Sequence, residues 1–322
     1  MINIVGTLGQ SLISGFGMML LASCCCALFY PIFSQLQARL SIANRALTTL
    51  CFGLIAPLST LLGVLVLTHP VISATVIYAH CHGDNCAAHV PAPILSSLTG
   101  AGLGALTTLV VVIVFYAMSK RVHNARARQL FLDTLSQPQA LPEKAQTSVN
   151  QPMYYKLIES EDLVAWCAGL LFPKVYVSSG LIKKLDNVQL RAVLAHEYGH
   201  VSRRDNLRKL LLNWSTALWL IKPKKRIQQN FVAQTEHLSD LYSANITGDP
   251  QLVDSVYAMF RSSQNPQPPH YAHRNLATRK QMRSNESASP LFTVVVYFLS
   301  SLLFIGLTIG LTIMAHVLLE NL

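Results

Sequence analysis

Four stretches of the 322-residue chain, 11–33, 46–68, 93–118 and 290–318, contain no Lys, Arg, Asp or Glu. Each exceeds the roughly 20 residues a helix needs to cross a hydrocarbon layer of about 30 Å. Together they predict four membrane-spanning helices. They also account for a charged fraction of 12%, about half the roughly 25% of ordinary soluble domains. The first stretch lacks a basic n-region and a clear small-residue cleavage site, so it reads as a retained span and not a signal peptide. Gly100 and Gly104 give the third span a small-xxx-small pattern that lets helices approach closely.

Of the 25 basic residues, 23 lie between positions 119 and 289, and the other two, Arg39 and Arg45, lie in the 34–45 loop. The 69–92 loop has none. Lys120, Arg121, Arg126 and Arg128 follow the third span, and Arg274, Arg279, Lys280 and Arg283 precede the fourth. Basic residues close to membrane ends mark the cytoplasmic side. This places residues 119–289 in the cytoplasm and puts both termini and the 69–92 loop outside. The formal net charge of +10 is therefore carried by the one inside segment, where it suits an anionic lipid surface. No DNA- or RNA-binding motif accompanies it, so the partner expected of this surface is the lipid bilayer and no nucleic acid is expected.

The expected organisation is a three-span region over 1–118, a juxtamembrane helix and linker over 119–152, a cytoplasmic domain over 153–289, and a fourth span with a short outside tail over 290–322. Residues 136–152 (SQPQALPEKAQTSVNQP) hold three prolines and little apolar periodicity, which predicts a linker. Runs at 153–159, 163–168 and 174–178 are strand-like in their β-branched and aromatic content. The third of these runs along a substrate cleft or is buried in the centre of the sheet. Asp186 or Asn187 can cap a following helix in which Val188, Ala192, Val193, His196 and His200 recur at helical spacing. A second break, 264–269 (QNPQPP), precedes a short basic segment. Residues 210–221 (LLLNWSTALWLI) are too short to span and suit an interfacial helix or a buried core helix.

Chemistry concentrates at Ala195-His196-Glu197-Tyr198-Gly199-His200, an H-E-x-x-H sequence. On a helix, positions i and i+4 share a face, so two imidazoles can reach one Zn²⁺ while the intervening Glu is placed to take a proton from a metal-activated water. A catalytic zinc needs a third protein ligand and an open position. The run Gln234-Thr235-Glu236-His237-Leu238-Ser239-Asp240 offers Glu236 as that ligand, with His237 as rival. Asp240, one turn later, can accept a hydrogen bond from a ligand imidazole.

The run from Gly169 through Asn206, GLLFPKVYVSSGLIKKLDNVQLRAVLAHEYGHVSRRDN, resembles the BlaR/MecR-type membrane zinc peptidases, the antirepressor proteases of beta-lactam sensing. A protease domain between the third and fourth spans, facing the cytoplasm, is also that family's layout. The resemblance implies a four-helix membrane protein with an inserted α+β zincin-like metallopeptidase domain of gluzincin type. It implies zinc ligands His196, His200 and Glu236, and Glu197 as catalytic base. Only Glu320, Asn321 and Leu322 follow the last span, where the family's antibiotic receptors continue into an external penicillin-binding domain, so beta-lactam sensing by this chain is not expected. The E-x-x-x-D pattern at Glu236 and Asp240, with His273 and Arg279 six residues apart, is similar to the HtpX and CAAX-protease class, in which an analogous His and Arg stabilise the substrate's oxyanion. Arg274 stands where such a His is normally followed by Pro, and a basic juxtamembrane anchor is the other reading of this pair.

The function expected is an integral-membrane zinc endopeptidase of the inner membrane, acting on a regulatory protein, a membrane protein or itself, with room for a regulatory partner or homo-oligomer. The competing expectation is a receptor or scaffold whose zinc domain is structural. It centres on the outside segment His80-Cys81-His82-Gly83-Asp84-Asn85-Cys86-Ala87-Ala88-His89, which reads as a small disulfide loop or as a thiolate and imidazole metal site.

Overall fold

The computed structural model describes residues 2–77, 80–82, 85–87, 98–141, 153–249, 252, 256 and 290–320. Among them are four helices long and apolar enough to cross a membrane, as the charge-free stretches predict. Helices α1 (Ile2–Gln37) and α2 (Ile42–Thr68) form a hairpin. The Arg45 guanidinium closes its turn by donating to the carbonyls of Ala38 (2.6 Å) and Leu40 (3.1 Å). A short helix α3 (Pro70–Val76) and a hairpin of β1 (His80–His82) and β2 (Asn85–Ala87) follow. Helix α4 (Leu98–Leu135) is continuous from the third apolar stretch through the basic juxtamembrane segment. Its outward residues Leu106, Leu109, Val112, Ile113 and Phe115 are exposed, the surface that a bilayer would cover.

A four-stranded sheet comes next, with strand order β3-β4-β6-β5. Its strands are β3 (Ser136–Ala140), β4 (Tyr154–Ile158), β5 (Ala165–Ala168) and β6 (Lys174–Ser178). β4 and β6 are parallel, and the other two pairings are antiparallel. Residues 136–140, expected in the linker, instead form the edge strand β3. An edge position tolerates Pro138, whose missing N–H need not enter a second ladder. Residues 142–152, like the predicted break at 264–269, lie outside the described residues. The helices α5 (Ser179–Lys184), α6 (Asn187–Arg203), α7 (Asp205–Ser215) and α8 (Ile221–Thr247) follow, and α9 (Pro290–Glu320) is the fourth apolar helix.

Among the described residues there are two hydrophobic cores. One lies between the sheet and α6 and includes Val175, Val177, Leu181, Leu190 and Leu194. The other joins the apolar helices to the α7–α8 region: Tyr30, Phe33 and Phe52 pack with Leu212, Trp219, Ile227 and Phe231. The Trp219 ring lies 5.9 Å from Tyr30 and 6.0 Å from Phe52. Residues 210–221 are thus neither one free interfacial helix nor wholly core. Leu212 and Trp219 are buried against α1 and α2, while Leu218, Leu220 and Ile221 are exposed beside Lys222. Gly53 of α2 makes this docking feasible, since a Cβ there would collide with Cδ1 of Leu212. Asn230 of α8 donates to the Tyr30 hydroxyl (2.8 Å), six residues before Glu236. At the other end of the domain, Asp133 near the end of α4 accepts from Lys174 Nζ (2.8 Å) and the Tyr176 hydroxyl (3.0 Å) of β6. The α7–α8 region is therefore fixed to α1 and α2, and the sheet to α4.

Candidate metal centre

Helix α6 begins with a reciprocal cap. Asp186 Oδ1 accepts from the backbone N–H groups of Val188 (2.9 Å) and Gln189 (2.8 Å), and Gln189 Oε1 accepts from the Asp186 N–H (3.1 Å). This capping box satisfies donors that a helix start leaves free. It fixes the start from which His196, Glu197 and His200 are counted, and all three are buried. α6 then packs on α8 at Gly199, where a Cβ would stand 3.0 Å from both Cα and Oγ of Ser239. Ser243 Oγ donates to the Ala192 carbonyl (2.7 Å) one turn along. Small residues on both helices thus bring Glu236 against the two histidines.

The result is a compact donor set. His196 Nε2 and His200 Nε2 are 3.2 Å apart. Glu236 Oε2 is 3.6 Å from His196 Nε2, and Oε1 is 3.4 Å from His200 Nε2. Ligand atoms about 2.0–2.1 Å from one tetrahedral Zn²⁺ stand about 3.3 Å from each other, so the three residues fit such an ion. A donor set of two imidazoles and one carboxylate suits zinc chemically and leaves a fourth position open. His237, the rival ligand, lies one residue further round α8 and is not in this group.

Both imidazoles are held from behind. Asp240 Oδ1 lies 2.9 Å from His196 Nδ1. Asp205, which is not among the expected site residues, lies 2.8 Å from His200 Nδ1 through Oδ2. Its position depends on Arg204, the one described non-glycine residue with positive φ (φ 52°, ψ 47°), which turns the chain sharply between α6 and α7. Arg203 locks the turn. Its guanidinium donates to Asp205 (2.8 Å), to the Thr235 carbonyl (3.1 Å) and to Ser239 Oγ (2.7 Å), tying α7 to α8 behind the ligands. The only sequence signal for Asp205 was its place five residues after the second histidine in the R-R-D-N run.

Without a metal, the carboxylates set the charge of the site. Burial pushes the His200 imidazolium down, but hydrogen bonds to Asp205 and Glu236 outweigh it and raise its pKa to about 9. Burial also opposes ionisation of Glu236, yet the two histidines hold its carboxyl well below the usual range. Lys209 Nζ lies 3.6 Å from Glu236 Oε1. The strand bordering this cluster is β5. β6 is paired on both sides, with Tyr176 and Val177 fully buried, so it is the central strand and has no free edge for a substrate. Cys167 of β5 lies near enough to Glu197 and Asp205 to feel their charges, and burial first, then those charges, push its thiol up to about 12. Asn206 Nδ2 supports the end of β5 by donating to the carbonyls of Cys167 (3.0 Å) and Gly169 (3.2 Å). His273 and Arg279 lie outside the described residues.

Residues 127–247 match the model of Peptidase family M48. The matched segment covers a little over a third of the chain and contains every residue of the donor set, with Glu197, Asp205 and Asp240. The match supports an M48-type metallopeptidase in this part of the chain, which starts in the last turns of the third apolar helix and ends before the fourth. Comparisons with curated proteins and with solved structures gave no match.

Proposed function

We propose that the chain is a zinc-dependent endopeptidase of the inner membrane, laid out as in the BlaR/MecR-type peptidases, with its catalytic domain in the cytoplasm and both termini outside. Its substrate is a protein: a regulatory protein, a membrane protein or the chain itself. The observation that carries this reading is the mutual spacing of His196, His200 and Glu236 at 3.2 to 3.6 Å, with Glu197 on the same helix.

Bound zinc would supply a Lewis acid and lower the pKa of a water towards about 7. Glu197 accepts a proton from the attacking water and passes it to the leaving amine. Asp205 and Asp240 hold the two imidazoles in the tautomer that carries hydrogen on Nδ1, so that each Nε2 would be available to hold the ion. His273 and Arg279 are assigned to stabilising the oxyanion, as the similarity to the HtpX and CAAX-protease class implies.

The test is Glu197→Gln in the full-length protein. Zinc content should remain at one equivalent while cleavage falls by at least about a hundredfold, the scale of a lost general base. A variant that keeps both zinc and proteolysis would overturn the assignment.

A further inference from the structure

The peptidase reading leaves the β1–β2 hairpin unused. It lies between the second and third apolar helices, whereas the zinc donor set lies between the third and fourth. If each of these helices crosses the bilayer, the two are on opposite sides of it. Under the orientation proposed above, the hairpin is on the oxidising side, where thiols pair.

The register separates the two readings of this segment. β1 and β2 are antiparallel, with His82 opposite Asn85, Cys81 opposite Cys86 and His80 opposite Ala87. Only Gly83 and Asp84 separate the strands in sequence. In a hairpin with a two-residue connection, the flanking pair exchanges both backbone hydrogen bonds, and hydrogen-bonded and non-hydrogen-bonded pairs alternate outward. Cys81 and Cys86 therefore form the non-hydrogen-bonded pair, whose Cα atoms approach to about 4.5 Å. That separation lies within the roughly 4.4–6.8 Å that a disulfide requires. Strand alternation also puts His80 and His82 on the face opposite the two cysteines. A metal site built from both thiolates and these imidazoles would need ligands from both faces of a three-residue strand.

We propose that Cys81 and Cys86 form a disulfide that closes the hairpin, and that this segment is a thiol redox site and not a metal site. The oxidant is a disulfide-bearing thiol oxidase. The thiolate of one cysteine attacks the oxidant's disulfide, forming a mixed disulfide and releasing one oxidant thiolate. The second cysteine, after losing its proton, attacks the first cysteine's sulfur and releases the second thiolate. Two protons and two electrons leave the hairpin, and the oxidant becomes a dithiol. The change would reach the membrane bundle through a short path, since Ile77, three residues before β1, is buried in the transmembrane core.

Differential alkylation of the full-length protein tests the assignment. Cells are quenched in acid, denatured with one maleimide present, then reduced and treated with an isotopically heavier maleimide before peptide mass spectrometry. Cys81 and Cys86 should carry the heavy label in at least about tenfold excess, and Cys167, on the reducing side, should carry the light one. In Cys81→Ser, Cys86 should switch to the light label. Light label on both Cys81 and Cys86 of the wild-type chain would overturn the proposal. So would protection of both thiols by zinc that a chelator reverses without reductant, which would establish the metal site instead.

Discussion

Asp205→Asn isolates the contribution of a residue that touches no metal. The substitution keeps the shape of the side chain and removes its charge. Asp205 is 1% exposed and serves two cations: His200 Nδ1 at 2.8 Å and Arg203 at 2.8 Å. Losing the carboxylate behind a ligand imidazole typically lowers metal affinity by about 10- to 100-fold, or about 1.4–2.7 kcal/mol. Breaking a buried ion pair costs about 3–5 kcal/mol when the surviving charge is orphaned. Arg203 is not orphaned, because it keeps the Thr235 carbonyl and Ser239 Oγ. The loss of stability should therefore be about 2 kcal/mol, nearer the cost of one charged hydrogen bond. Zinc competition against a chromogenic chelator measures the first effect, and chemical denaturation of the metal-free protein measures the second. The pH dependence supplies a signed check. Burial opposes ionisation of Asp205, but His200 and Arg203 together hold its carboxyl below the usual range. Its stabilisation is therefore complete above the ordinary carboxylate pKa of about 3.9 and fades as pH falls through the lower folded value. The stability gap between wild type and Asp205→Asn should close in acid. A zinc affinity within about threefold of wild type would refute the claim that Asp205 orients His200.

Three further outcomes follow from the same geometry. Because His200 of the metal-free protein keeps its proton up to about pH 9, zinc must displace that proton, and its affinity should rise about tenfold per pH unit through the neutral range; a flat profile by isothermal titration would contradict this. Cys167, with its thiol at about 12, should react with iodoacetamide at pH 8 about three orders of magnitude more slowly than an ordinary thiol, and Glu197→Gln should speed it; an unchanged rate in that variant would show that the Glu197 charge does not reach it. Gly53→Val should push Leu212 out of its seat on α2, cost about 1–3 kcal/mol as overpacking does, and lower the melting temperature although the position is remote from the donor set; an unchanged melting curve would sever the link between α2 and the α7–α8 region.

The features legible in the sequence were those set by the chain's own local geometry. Charge-free stretches marked the four long apolar helices because a bilayer tests each segment separately. The spacing of His196 and His200 put both on one face of α6, since 3.6 residues per turn is a property of any helix. The Asp186–Gln189 cap and the aromatic and β-branched content of the β4, β5 and β6 segments were equally local. Strand β3 was missed because its polar residues, SQPQA, carry no period-2 signal and gain their partner only when β4 lies alongside.

Packing between distant elements decided the rest. Glu236 follows His200 by 36 positions, and nothing in that interval fixes how closely α8 approaches α6; the contact of Gly199 with Ser239 does. Asp205 reaches His200 because Arg204 turns the chain left-handed. β6 proved central and β5 an edge because of strand order, to which the composition of either strand is blind. The sequence determined which side chains could bind a metal and which segments suit a membrane. The tertiary structure alone decided that three donors stand about 3.5 Å apart with a carboxylate behind each imidazole, because that spacing depends on two helices held together by contacts far apart in the chain.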